Sequence, residues 1–267
     1  MKTLQELFRL DGRTALITGG AGHLGAAIAE TLAELGAHLV LTDRAGTGCE
    51  ARAETLAQRF GVKATAVVAD LASPDAAKTL VEAAVAFSGG VDIVVHNAAF
   101  TGASGLPGYA VPFSEQSVEA WEAAMRVNTT VAFSLVQQAL PFLEKSGKGA
   151  VLMIGSIYGV VAPNMNLYTG TKMGNPAAYA ASKAGLLQLV RYLSTVLAPK
   201  VRVNALSPGG IARGQPEAFQ ERYRTLTPLA RMGEEVDAKG AVALLCSDAG
   251  AYITGQNLMV DGGWTAW

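Results

Sequence analysis

Cysteine is scarce in this sequence, charge of one sign does not dominate, and no long apolar run occurs. Only Cys49 and Cys246 are available among 267 residues. Two isolated thiols make no disulfide framework, and a chain this long buries a sizeable core without staples. A reducing, cytoplasmic compartment is therefore expected. The 21 basic and 22 acidic side chains leave a formal net charge of -1, which excludes the broad basic field that nucleic acid or an anionic membrane surface requires. From Met1 to Leu10, charged Lys2, Glu6 and Arg9 interrupt the leucines, unlike the apolar region of a signal peptide. No later run approaches the roughly 18 apolar residues of a membrane span. Internal repeats, low-complexity tracts, charge runs and linkers are also missing, so residues 1–267 read as one domain.

Glycine is abundant instead, 30 residues in 267, above the roughly 7% of an average protein. Short apolar runs alternate with helix-like stretches, the pattern of β-α-β units. Strands are expected at Thr14 to Thr18, His38 to Thr42, Ala64 to Ala69, Val91 to His96, Ala150 to Gly155, Val201 to Leu206 and Asn257 to Val260. Most are continuously apolar, as strands covered on both faces are. Helices are expected between them, at Leu24 to Leu35, Glu50 to Phe60, Asp75 to Ala86, Val118 to Leu143, Ala177 to Leu197 and Glu235 to Ser247. The fold class is α/β, a doubly wound Rossmann-type parallel sheet of seven strands, with ligands at the carboxyl ends of the strands. Three loops, near 100–117, 163–176 and 209–228, exceed what such a scaffold needs and belong at the substrate edge.

After the first strand the chain reads Thr18, Gly19, Gly20, Ala21, Gly22, His23, Leu24, Gly25 and enters an alanine-rich helix. Glycines there permit a tight turn and let backbone N–H groups approach a pyrophosphate at the positive end of the helix. Asp43 closes the second strand 18 positions after Gly25, near the roughly 20-residue offset at which a carboxylate meets the adenosine ribose hydroxyls. A carboxylate there repels a 2′-phosphate, so NAD is expected over NADP. Arg44, next in the chain, is the group that would pair with such a phosphate.

Ser156 ends the fifth strand, and Tyr179 and Lys183 open the long helix that follows. Tyrosine and lysine four apart share a helix face and can point into one pocket. A free phenol titrates near pH 10, roughly, and a nearby ammonium is expected to lower it toward the working range. Ser156 can hold the same substrate oxygen. Tyr168 and Lys172 show the same spacing, but Gly170, Gly174 and Pro176 make their segment a poor helix without fixed side-chain geometry. Tyr158 reads as a pocket-wall residue.

Together these residues resemble the short-chain dehydrogenase/reductase family, in its single-domain branch, over about Leu10 to Gly263. The matching stretches are Thr18 to Gly25, Asp70-Leu71, Asn97-Ala98-Ala99, Asn128, Ser156, Tyr179 to Lys183, Asn204, Pro208-Gly209 and Val260 to Gly263. The resemblance implies that Asp70 contacts adenine and that Asn97 and Ala98 line the cofactor groove. It also implies that Pro208, Gly209 and Ile211 border the nicotinamide, and that Asn128 holds a water in a proton relay with Lys183. Tyr179 and Lys183 would touch the cofactor as well as the substrate. The full expected cofactor set is Gly19, Gly22, His23, Leu24, Gly25, Asp43, Arg44, Asp70, Leu71, Asn97, Ala98, Ala99, Tyr179, Lys183, Pro208, Gly209 and Ile211; the catalytic set is Asn128, Ser156, Tyr179 and Lys183; no metal is expected. The family's tetramers form through two long helices, here about Val118 to Leu143 and Ala177 to Leu197, which implies a homo-oligomer, tetramer or dimer.

Three features depart from the family pattern. His23 replaces a glycine, Arg213 replaces the threonine usual after the Pro-Gly segment, and Ser156 and Tyr179 stand 23 positions apart, so 163–176 reads as an insertion. The insertion carries Asn164, Asn166, Thr169, Thr171 and Asn175, and Ile154 to Ala184 resembles family members of carbohydrate pathways. The expected activity is interconversion of a secondary alcohol and a ketone on a small polar substrate: a sugar, sugar acid or polyol. A nucleotide-sugar epimerase or dehydratase with tightly bound NAD, and a non-catalytic dinucleotide-binding protein, are the alternatives.

Overall fold

The computed structural model describes residues 1–101 and 104–267; two residues of the first long loop, 102 and 103, lie outside this range. Seven parallel strands form one sheet in the order β3-β2-β1-β4-β5-β6-β7. They are β1 (Thr14–Thr18), β2 (His38–Asp43), β3 (Ala64–Val68), β4 (Ile93–His96), β5 (Gly149–Ile154), β6 (Val201–Pro208) and β7 (Asn257–Val260). Each expected strand is present, with ends shifted by one or two residues.

Side chains of successive strand residues point to opposite faces, and both faces are filled. Leu16, Val40, Val94, Val151, Met153, Val203 and Ala205 face one layer, with α4 (Ala76–Ser88), α6 (Val131–Ser146) and α7 (Ala177–Val196). Ile17, Leu39, Leu41, Val95, Leu152 and Leu206 face the other, with α2 (His23–Glu34), α3 (Cys49–Phe60) and α9 (Lys239–Cys246). Register aligns the layers: Leu16 pairs with both Val40 and Val94. This double cover is why β1, β4 and β5 are buried at every position.

The strand order turns back between β1 and β4, and the crevice beyond their carboxyl ends is where an open α/β sheet takes its ligand. Among the described residues no helix is long and apolar enough to cross a membrane.

Four elements differ from expectation. A short helix α1 (Leu4–Phe8) precedes β1, closed by a Thr3/Glu6 capping box. The expected Val118 to Leu143 helix is broken. A π-turn, Arg126–Thr130, separates α5 (Val118–Met125) from α6, and such turns re-aim residues at functional sites. The last expected helix begins as a 3-10 turn, Glu235–Ala238. The region 209–228 is not merely a loop, because α8 (Glu217–Thr225) lies inside it. Its buried residues are Phe219 and Tyr223, four apart on one face, a pair too short to show a helical period in the sequence.

Candidate active site

The glycine turn is built by close approach. Gly19 adopts φ +67, a left-handed value that suits glycine. A Cβ on Gly25 would sit 1.9 Å from the Gly19 carbonyl oxygen and 2.9 Å from Asn97 Nδ2. Asn97 locks this turn, its Nδ2 donating to the Thr18 and Gly19 carbonyls at 3.2 and 3.0 Å. Thr18 Oγ1 accepts from the N–H groups of Asn97 and Ala98 and lies 3.2 Å from His96 Nδ1. The threonine proton then goes to Nδ1, and the buried imidazole carries its own on Nε2. Burial first, and the Lys183 charge second, push the His96 pKa down to about 3, so this ring is neutral.

A cleft of about 470 Å³ runs along the carboxyl edge of the sheet. Asp43, Arg44, Asp70 and Leu71 line it beyond β2 and β3. Gly19, Gly22, His23, Leu24 and Gly25 line it above β1, and Asn97, Ala98 and Ala99 beyond β4. Tyr179, Lys183, Pro208, Gly209 and Ile211 close the far end. Every residue expected at a cofactor thus meets in one groove. Asp43 is fixed there, its carboxylate accepting from the N–H groups of Ala21 at 3.0 Å and Arg44 at 2.8 Å. The Arg44 side chain is exposed, and Asp70 Oδ1 accepts from Ala72 N–H at 2.9 Å.

These features fit a dinucleotide. The cradle between Gly19 and Gly25 is one that a Cβ would fill, and it opens onto the N-terminus of α2. Among the described residues no cluster of His, Cys, Asp or Glu could hold a metal ion. Burial pushes the thiols of Cys49 and Cys246 up to about 11 and about 12, far from a nucleophile's range.

At the far end, Ser156 caps a 3-10 turn, Ile157–Gly159, and its Oγ accepts from Tyr158 N–H at 3.2 Å. The Ser156 side chain acts on the Tyr179 phenol, drawing its pKa down. Lys183, 2% exposed, donates from Nζ to the Ile154 carbonyl at 2.7 Å and lies 5.8 Å from the Tyr179 ring centroid. The charge balance differs from the sequence expectation. Burial raises the Tyr179 pKa, Tyr168 adds to the rise, and the Ser156 side chain and the Arg213 charge oppose it.

Burial pushes Lys183 itself down to about 8 from 10.5. Between these values the unfolded chain holds the extra proton, so rising pH favours the folded state. Relative to Lys183→Met, the wild type is expected to gain about 3 kcal/mol of stability from neutral pH to pH 10.5. Urea denaturation across that range measures it, and a difference flat with pH would contradict the burial of this charge.

Asn128 sits in the π-turn, fully buried and off the cleft wall. Its Oδ1 accepts from Phe100 N–H at 2.7 Å, and its Nδ2 donates to the Phe100 carbonyl at 3.3 Å and to Ser182 Oγ at 2.9 Å. The side chain therefore ties the segment after β4 to the helix carrying Tyr179 and Lys183.

The insertion is ordered, contrary to expectation for the Tyr168–Lys172 segment. Met165–Tyr168 forms a 3-10 turn, Tyr168 packs against Phe219 of α8 at 5.5 Å, and its hydroxyl meets that of Tyr158 at 3.1 Å. Arg222 of α8 donates to the carbonyls of Leu167 and Thr169. Asn164, Asn166, Thr169 and Lys172 are exposed, whereas Leu167 is buried and Tyr168 and Met173 pack on the same apolar cluster. Asn164 and Asn166 thus face solvent, whereas Asn175 is only partly exposed. Sequence reading did not place Ser104, Ile154, Gly155, Arg213 or Gln215 on the cleft wall, where all five lie. Gly155 carried a signal of its own, as the glycine directly before Ser156, where a Cβ would lie 2.3 Å from Ser207 Oγ.

The family described as enoyl-(acyl carrier protein) reductase matches residues 19–265. An uncharacterized oxidoreductase of Mycobacterium tuberculosis is 37% identical, over 97% of this chain and 95% of its own length. A 3-oxoacyl-(acyl-carrier-protein) reductase of Aquifex aeolicus is 32% identical, over 96% of this chain and 98% of its own. Among solved structures, a gluconate 5-dehydrogenase from Burkholderia cenocepacia, in complex with NADP and tartrate, superposes with a TM-score of 0.85 at 30% identity, covering 99% of this chain and all of that one. The chain belongs to the short-chain dehydrogenase/reductase family and is an NAD(P)-dependent oxidoreductase.

Proposed function

We propose that the enzyme interconverts a secondary alcohol and a ketone on a polyhydroxylated substrate, with Tyr179, Lys183, Ser156 and Asn128 as its working residues. The observation that carries this reading is the convergence of Ser156, Tyr179 and Lys183 at one end of a dinucleotide-sized cleft. When bound, the nicotinamide accepts or delivers the hydride. In the oxidising direction, Tyr179 Oη takes the hydroxyl proton and Ser156 Oγ holds the substrate oxygen. Lys183 Nζ supplies the positive charge behind the phenol and can hold the cofactor's ribose, while Asn128 fixes the helix that presents both groups. Desolvation holds the phenol's pKa up, so the proton-accepting form grows as pH rises.

The residues proposed to hold the cofactor are the glycine turn with His23 and Leu24, Asp43, Arg44, Asp70, Leu71, Asn97, Ala98, Ala99, Pro208, Gly209 and Ile211. NAD is the proposed cofactor because the anchored Asp43 carboxylate meets the ribose hydroxyls and repels a 2′-phosphate. The Burkholderia enzyme holds NADP, and Arg44 would favour that cofactor here once Asp43 is removed. Asp43→Ala is expected to shift the NAD:NADP preference in kcat/KM by about tenfold or more toward NADP; an unchanged ratio would put the discrimination elsewhere.

Support for a sugar, sugar acid or polyol comes from the similarity to a gluconate 5-dehydrogenase. The test is absorbance at 340 nm, with NAD or NADP, against sugars, sugar acids, polyols and simple secondary alcohols. Reduced cofactor forming with polyhydroxylated compounds supports the reading. Turnover of apolar alcohols alone would overturn the substrate class. Product without accumulated NADH would favour an epimerase.

We further propose a homo-oligomer, since Val118, Trp121, Phe133, Tyr192 and Val196 are exposed on α5, α6 and α7; a monomer in sedimentation velocity would refute it. The two buried, unpaired thiols fit a cytoplasmic location.

A further inference from the structure

Among charged residues on the cleft wall, Asp43, Arg44 and Asp70 lie beyond β2 and β3, and His23 opens α2. Lys183 and Arg213 stand at the end where Tyr179 is, and among the described residues no carboxylate lines the cleft there. Lys183 is committed to the Ile154 carbonyl. Arg213 is not committed in that way. It leans out of the segment after β6, which several contacts hold in place. Ala212 N–H donates to the Gly233 carbonyl at 2.9 Å, and Gly233 N–H to the Gly210 carbonyl at 2.9 Å. Gln215 clasps the turn, its Oε1 accepting from Arg213 N–H at 2.7 Å and its Nε2 donating to the Ile211 carbonyl at 2.8 Å. Glu235 takes the guanidinium by Nε alone, at 3.0 Å. Both terminal amino groups are thereby left without a hydrogen-bond partner among the described residues, on a side chain 39% exposed.

A guanidinium anchored through Nε and open at its outer edge offers the parallel donors that fit a carboxylate. We propose that Arg213 is the specificity residue of this site and takes a carboxylate of the substrate, which makes the preferred substrate a sugar acid rather than an uncharged sugar or polyol. The inference rests on the dehydrogenase reading above and narrows its substrate class. The charge of Arg213 also reaches the reacting group, since it draws the Tyr179 phenol down against burial.

The test is calorimetric titration of the enzyme, saturated with NAD, with tartrate and with its uncharged counterpart threitol. Wild type is expected to bind tartrate more tightly than threitol. Arg213→Gln is expected to weaken tartrate about 10- to 100-fold, leave threitol unchanged and keep the NAD Kd within about twofold of wild type. Arg213→Lys, which keeps the charge but not the fork, should recover part of the loss. Equal tartrate binding by wild type and Arg213→Gln, or threitol bound as tightly as tartrate, would overturn the proposal. A rise in NAD Kd matching the loss of tartrate would also overturn it, assigning Arg213 to the cofactor phosphates. Turnover separates the two readings. If gluconate and sorbitol are oxidised equally well by wild type and by Arg213→Gln, the polyol dehydrogenase stands and the carboxylate assignment falls. If neither is oxidised while apolar alcohols are, both fall.

Discussion

Tyr179→Phe is expected to lower kcat by about 10²- to 10⁴-fold, the range that a positioned acid-base group contributes, with a far smaller effect on the Kd for NADH. Phenylalanine keeps the ring and its packing on Tyr109, Ala124 and Ala178, so the loss reads the oxygen alone. Ser156 keeps its hydrogen bond from Tyr158 N–H, and the 3-10 turn that carries it should stay in place. Tyr168→Phe is the matched control. Its hydroxyl bonds Tyr158, and its ring rests on Phe219, with no role in proton transfer, so activity should stay within about tenfold of wild type. Steady-state rates at 340 nm and NADH fluorescence titration measure both terms. A Tyr179→Phe enzyme as active as wild type would remove the phenol from the chemistry.

Gly25→Ala is expected to abolish dinucleotide binding, raising Kd by about 100-fold or more, since a one-ångström displacement at a preorganised site costs that much. The added Cβ would meet the Gly19 carbonyl oxygen at 1.9 Å and the Asn97 amide at 2.9 Å. These two neighbours are the turn and its lock, so neither can yield without moving the turn itself. Some stability is lost as well, about 1–3 kcal/mol for overpacking of this kind. Gly240→Ala provides the contrast. That glycine lies in α9 with nothing within 4 Å of its added Cβ, and the change should stabilise the helix by about 0.5–1 kcal/mol with cofactor affinity intact. Chemical denaturation and NADH titration of the two variants separate fold from site. Cofactor binding retained in Gly25→Ala would place the pyrophosphate elsewhere.

Much of this architecture was legible in the sequence because the sheet makes its own signals. Continuous apolar runs such as Leu39 to Leu41 follow from double cover, and right-handed crossovers place Gly19, Asp43, Asn97, Ser156 and Pro208 along one edge whatever the helices contain. The choice of Tyr179 over Tyr168 also rested on a local rule, helix continuity. What escaped were features set by tertiary contact. A π-turn at Asn128 has no periodic signature, and α8 shows only Phe219 and Tyr223 as a buried pair. Order in the insertion comes from α8 through Phe219 and Arg222, residues some fifty positions away. Asn164 and Asn166, which suggested a polar pocket wall, are exposed, while Leu167, Tyr168 and Met173 pack on the apolar cluster. The phenol's pKa is raised first by burial, which spacing on a helix face does not reveal.

One groove is proposed to hold the dinucleotide with its reactive ring beside Tyr179, and a crystal structure of the enzyme with NAD is the decisive test. Adenosine ribose hydroxyls are expected on Asp43, the pyrophosphate over Gly19 to Gly25, and the nicotinamide between Tyr179 and Pro208-Gly209. A dinucleotide bound in reverse, or outside this groove with Tyr179 uncovered, would contradict it.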